Sequence, residues 1–175
     1  MTKPAATTTA TSAIGTSVTG PTVCLTFADR AEEAINFYVG LFRNSRILEL
    51  VRSDGSGAIA KGRIMHGRFE LDSREFVAFD GGPTFAFSEG FSLRVTCQTQ
   101  EEIDYFWTRL TEGGEEGPCG WLKDRFGVSW QVIPAELGRM LSDTASGNSA
   151  KAAEAMFKMR KLDIATLERA YRGQS

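Results

Sequence analysis

Five residues in this chain are of types that do chemistry and stand in or beside stretches that read as strands. Arg94 lies in "FSLRVTC", a short β-branched and apolar run. An arginine projecting from a strand needs an acidic or oxyanion partner, because an unpaired guanidinium is costly away from water. It therefore reads either as a clamp for a carboxylate- or phosphate-bearing ligand, or as half of an internal ion pair, with Glu89 as the candidate partner. His66, the only histidine, lies in "RIMHGRFEL". Its ordinary pKa suits a general base, and a hydrogen-bonded or exposed imidazole is the alternative. Cys24, in "TVCLTFA", is a nucleophile only if a neighbouring base depresses its pKa; otherwise it is a small packing residue. Cys119, beside Gly120 and Trp121, reads as structural. Gln131 belongs to "GVSWQVIP", where Ser129 and Gln131 alternate with Trp130 and Val132. A polar side chain at such a place can be a metal ligand or a base, and here it is an amide.

Composition narrows the partners. The chain has 175 residues, 42% hydrophobic, enough for one ordinary domain or two small fused modules. A net charge of −2 supplies no basic field for nucleic acid or an acidic membrane surface. No run approaches the roughly 20 apolar residues of a membrane-spanning helix. The three cysteines form neither CxxC pairs nor a Cys/His cluster, which fits a reducing cytoplasm. One histidine excludes any site needing two or three imidazoles from a single chain.

The elements that must position these residues follow from pattern. Residues 1–20 are Thr/Ala/Ser-rich, lack large side chains, and read as a disordered leader. "TVCLTFA" is a strand, and "DRAEEAINFYVGLF" an amphipathic helix with Asp29 as its N-cap. "SRILELVRS", "AIAKGRIMHGRFEL", "EFVAFDG" and "TFAFSE" read as strands separated by tight turns, including Asp72-Ser73 and Gly81-Gly82-Pro83. The second half repeats the scheme with "FSLRVTC", the helix "TQEEIDYFWTRLTEGG", and the strands "CGWLKD" and "GVSWQVIP" around the turn Asp124 to Gly127. Setting Glu101-Glu102 on Glu32-Glu33 also sets Phe106-Trp107 on Phe37-Tyr38 and Leu110 on Leu41, which suggests a duplicated module. The divisions are 21–90 for module 1, 91–134 for module 2 and 135–173 for a C-terminal helical extension. In the extension Met156, Met159, Leu162, Ile164 and Leu167 dock on their own subunit or a partner's, and Lys151, Lys158, Arg160 and Lys161 read as a solvated face.

Taken together, "FADRAEEAINFYVGLFRNSRI", "MHGRFELDSREFVAFDGGPTFAFSEGFSL", "CGWLKDRFGVSWQVIP" and "EAMFKMRKLDIATLERAYRG" resemble the PhnB-like branch of the vicinal-oxygen-chelate superfamily, from about Thr22 to Gly173. That superfamily includes glyoxalase, extradiol dioxygenases and fosfomycin and bleomycin resistance proteins. The resemblance implies an α+β fold in which paired βαβββ modules form a cup-shaped mixed sheet, usually in a homodimer. The branch often carries a demethylubiquinone methyltransferase label. No Gly-rich strand-to-helix loop followed by an acidic residue supports a nucleoside cofactor here, and the label is disfavoured.

Metal-dependent members of the superfamily hold a divalent ion with His, Gln or Glu side chains from the first and closing strands of their modules. The matching positions here fall near Thr22 to Cys24, at Phe91 or Ser92, and at Gln131. They offer neutral donors, so no metal and no other cofactor is expected, with Glu89 the one carboxylate able to overturn this. Period-two alternation instead turns Cys24, Thr26, Ser92, Arg94, Thr96 and Gln131 towards the cup, with Glu89 at its edge. The resulting expectation is a cytoplasmic homodimer binding a small oxygen-rich or aromatic ligand, without nucleic-acid or membrane partners. The alternative is an active lyase, isomerase or transferase of the superfamily, metal-dependent if Glu89 is a ligand.

Overall fold

The structure is a computed structural model that describes residues 20–174 apart from 144, 146 and 147. The expected leader, save Gly20, lies outside the described residues. Val23–Phe27 form β1, Ala31–Leu41 α1, Arg46–Arg52 β2, Ile64–Leu71 β3 and Arg74–Asp80 β4. Leu93–Cys97 form β5, Gln100–Thr111 α2, Glu115–Glu116 β6, Trp121–Lys123 β7 and Ser129–Pro134 β8. Three helices follow: α3 (Leu137–Ser142), α4 (Ser149–Phe157) and α5 (Ile164–Tyr171).

Two four-stranded mixed sheets result, ordered β1-β4-β3-β2 and β5-β8-β7-β6. In each, the strand before the helix runs parallel to the last strand, and the remaining pairs are antiparallel. The α+β fold of two βαβββ modules is therefore as expected. The β3–β4 hairpin turns on Asp72 and Ser73, both with positive φ (47° and 64°), which is what a two-residue turn between twisted strands requires.

Three local expectations are corrected. "TFAFSE" is not a strand: β4 is already paired with β1 on one side and β3 on the other, and the segment that leaves it joins neither sheet. It is a connector whose Phe87 packs edge-on to Phe27, with ring centroids 5.1 Å apart. The strand expected from Ala58 starts at Ile64, after Gly62 takes a φ of 86°. Asp29 does not cap α1. The buried carboxylate of Asp80, at the end of β4, accepts from the Ala31 N–H (2.8 Å) and the Ile64 N–H (3.2 Å), so one side chain ties helix start to sheet. Asp29 instead approaches Arg63 at 3.8 Å. In the second module the cap is local: Thr99 accepts from the Glu102 N–H at 3.3 Å.

A single core lies between the modules. Leu25, Phe27, Ile35 and Tyr38 of the first module are in one cluster with Val95, Ile103, Trp107 and Trp130 of the second. The helices meet directly: Phe42 stacks on Phe106 (5.0 Å), and the Tyr105 hydroxyl donates to the Leu41 carbonyl. The turn between β7 and β8 is the other junction. Its buried Asp124 accepts from the Phe126 and Val128 N–H groups, from Trp130 Nε1 at 2.8 Å and, across the modules, from the Tyr38 hydroxyl at 2.7 Å. Sequence reading saw only a turn residue there. Burial raises the Asp124 pKa against the lowering effect of its hydrogen bonds, and burial with the nearby carboxylate pushes the Tyr38 phenol well up.

The extension docks on its own subunit. Ile133, Leu137, Met140, Ala152, Leu162 and Leu167 form a second cluster. The Cys119 and Gly120 N–H groups donate to the Met159 and Arg160 carbonyls at 2.8 and 2.7 Å, so the backbone at Cys119, with φ 57°, ties the second module to the extension. Asp163 caps α5, accepting from the Thr166 N–H.

Candidate functional site

Alternation decides what each sheet shows to solvent. In β5, Val95 and Cys97 are buried while Arg94 and Thr96 are exposed; in β1, Leu25 and Phe27 are buried while Cys24 is exposed and Thr26 half-buried. The alternation of packed and outward residues along these strands is thus as period two predicts. The six strand residues nevertheless fall in two sets, since β1 is in one sheet and β5 with β8 in the other. Cys24 and Thr26 lie beside Val77 and Phe79, and Ser92, Arg94, Thr96 and Gln131 share the outward face of the second sheet.

That second face is built in rows by strand register. Arg94 on β5 pairs with Gln131 on β8, which pairs with Trp121 on β7. The three side chains, on adjacent strands about 4.8 Å apart, form one row. The next row runs from Glu115 through Lys123 to Ser129. Gln131 Nε2 donates to Ser92 Oγ at 2.9 Å, which fixes the amide between the rows. Ile133, the next residue on the same face, is covered by the extension, so α3, α4 and α5 wall one end. At the other side a groove of about 430 Å³ is lined by Trp121, Lys123, Ser129, Glu89, Glu115 and Pro118 among others.

Charge pairing within this face leaves one cation over. Glu89, in the connector, accepts from Lys123 Nζ at 2.6 Å, and that ammonium lowers the Glu89 pKa. The proposed Glu89–Arg94 ion pair is therefore not formed. Among the described residues, Arg94 has no hydrogen-bond or ion-pair partner. The first sheet differs: there Arg68 is paired bidentately with Glu75 at 3.0 Å, and Arg46 with Glu70 at 2.9 Å. His66 is half-buried on that outward face, opposite Val51.

Sequence reading passed over Trp121 and Lys123. The signal was present in "GWLKD": with Leu122 buried, the same period-two rule turns both neighbours outward.

The donors at the positions where the resemblance implies a metal do not suit a divalent ion. Ser92 and Gln131 are neutral and bonded to one another. Cys24 stands on the other sheet, its thiol pKa raised by desolvation against a smaller opposing effect of Thr26. Among the described residues no group of three or more His, Cys, Asp or Glu is arranged to hold a metal ion. No step through a metal follows from this geometry.

Comparison with known proteins places the chain. A family model described as 3-demethylubiquinone-9 3-methyltransferase matches residues 19–133. A solved structure described as a putative 3-demethylubiquinone-9 3-methyltransferase, PhnB protein, from Bacillus cereus is 37% identical, covering 67% of this chain and all of that one, with a TM-score of 0.62. A protein of solved structure from Pseudomonas aeruginosa is 23% identical over 67% of this chain and 98% of its own, with a TM-score of 0.56, and shares the fold. A glyoxylase/bleomycin resistance protein/dioxygenase domain from Frankia sp. EAN1pec is 18% identical over 67% of this chain and 93% of its own, with a TM-score of 0.44. No curated protein matches. The family match stops at residue 133, so α3, α4 and α5 lie beyond it, although the resemblance was drawn to Gly173. With the matched span covering both modules, this chain belongs to the 3-demethylubiquinone-9 3-methyltransferase, or PhnB-like, family.

Proposed function

We propose that the outward face of the second sheet binds a small oxygen-rich anion, with Arg94 as its anchor and Gln131 and Ser92 as neutral hydrogen-bonding partners, and that it does so without a divalent metal. One observation carries this reading: among the described residues, no carboxylate engages Arg94, because Lys123 has taken Glu89. A guanidinium pairs best with a planar, two-oxygen anion. A methyltransferase activity gains nothing from the fold, since Gly81-Gly82-Pro83 leads out of β4 into the connector and no helix follows it. The protein works as a homodimer, a second copy closing each half-cup, and resides in the cytoplasm; its three free thiols agree with that compartment.

Thermal-shift titration with small carboxylates and phosphonates tests the anchor. Arg94→Met should abolish the stabilisation given by an acid that binds the native protein, while leaving the unliganded melting temperature within a degree or so, as expected for an exposed side chain (about 0.5 kcal/mol or less). A shift retained in full by Arg94→Met refutes the anchor. Stoichiometric divalent metal in the purified protein, lost on Glu89→Gln, refutes the metal-free reading.

A further inference from the structure

We infer that the ligand of this face is an aromatic acid, its ring laid on the Trp121 indole and its carboxylate held by Arg94. The inference rests on the Arg94 reading above and adds the ligand's chemical class. Register places Trp121, Gln131 and Arg94 in one row, and two strand spacings separate the ends by about 10 Å. That span, bridged from both sides by long side chains, suits a planar ring system carrying one carboxylate.

Three features support this orientation. Trp121 is half-buried in the groove wall, whereas Trp107 and Trp130 are only 5% and 2% exposed and belong to the core. Its indole is thus the tryptophan surface available for stacking, and among the described residues its N–H has no partner. Glu115 pairs in register with Lys123 on the side of the groove away from Arg94. A carboxylate is repelled from that edge and drawn to the Arg94 end, while the uncharged ring is indifferent to it. Lys123 is neutralised by Glu89 at 2.6 Å and does not compete for the acid. A wholly aliphatic acid would satisfy Arg94 and leave the indole bare; a neutral aromatic would do the reverse.

Isothermal titration of the native protein with three probes tests the assignment: 2-naphthoate, cyclohexanecarboxylate, which lacks the flat ring, and 2-naphthamide, which lacks the charge. The expected result is naphthoate binding about tenfold more tightly than either, in line with stacking and a charge-assisted bond each worth a sizeable fraction of the affinity. Trp121→Leu should erase the preference over cyclohexanecarboxylate, and Trp121→Phe should keep most of it. Arg94→Met should erase the preference over naphthamide. Equal binding of the two acids by the native protein, or a preference that survives Trp121→Leu, overturns the aromatic assignment and leaves the Arg94 anchor standing. Acid binding unchanged by Arg94→Met, or no binding of either acid, overturns both.

Discussion

Removing one hydroxyl, by Tyr38→Phe, tests whether Asp124 is the pin between the two modules. Asp124 is 3% exposed and accepts four hydrogen bonds, of which the Tyr38 bond alone comes from the other module. The phenyl ring of the variant keeps the contacts with Trp130 (5.5 Å) and Phe126 (5.8 Å), so the change is confined to the bond. A hydrogen bond to a charged group contributes about 1.5–3 kcal/mol, against about 1 kcal/mol for a neutral pair. Near neutral pH the loss should be about 2 kcal/mol, a fall in melting temperature of about 4–8 °C for a chain of this size. The pH dependence carries the sharper test. Burial raises the Asp124 pKa above its unfolded value, so the native state keeps its proton to higher pH than the unfolded state does. Ionisation therefore costs stability as pH rises through the window between those two values. The Tyr38 hydroxyl opposes that rise, and without it the native pKa climbs further. The penalty of Tyr38→Phe should thus shrink towards about 1 kcal/mol below the window, where the carboxyl is neutral, and reach its full size above it. Chemical denaturation of native and variant proteins at about pH 3 and about pH 7 measures both numbers. A penalty under about 0.5 kcal/mol, or one equal at both pH values, refutes the reasoning.

Two further substitutions probe the elements that hold the proposed site. Thr99→Ala removes the side-chain cap of α2 and should cost about 1 kcal/mol by denaturation, with Thr99→Ser recovering most of it. Leu162→Ala, at the seat of the extension against Ile133 and Gly120, should cost about 2–5 kcal/mol and make the residues after Pro134 preferentially sensitive to limited proteolysis.

How much of this was legible in the sequence depended on whether a residue's partner was local. The two helices, β1, β5 and β8 follow from periodicity, and so does the outward facing of Cys24, Arg94, Thr96 and Gln131, because alternation is a property of the strand alone. The Thr99 cap sits three residues from its donor, while α1 is capped from a distant strand by Asp80, and Asp29 was the local residue that reading along the chain could reach. "TFAFSE" has a strand's composition, and whether such a segment pairs depends on the tertiary partners it meets; here it joins neither sheet. The site shows the same divide. Arg94 was visible as a cation in need of a partner. That Glu89 goes to Lys123 depends on the connector crossing to β7, and this takes from Arg94 the partner the sequence offered it. Trp121 was within reach of the rule already applied to its neighbours. In a strand of three residues, with Leu122 buried, alternation turns the tryptophan to the outward face, in register with Gln131 and, one strand further, Arg94.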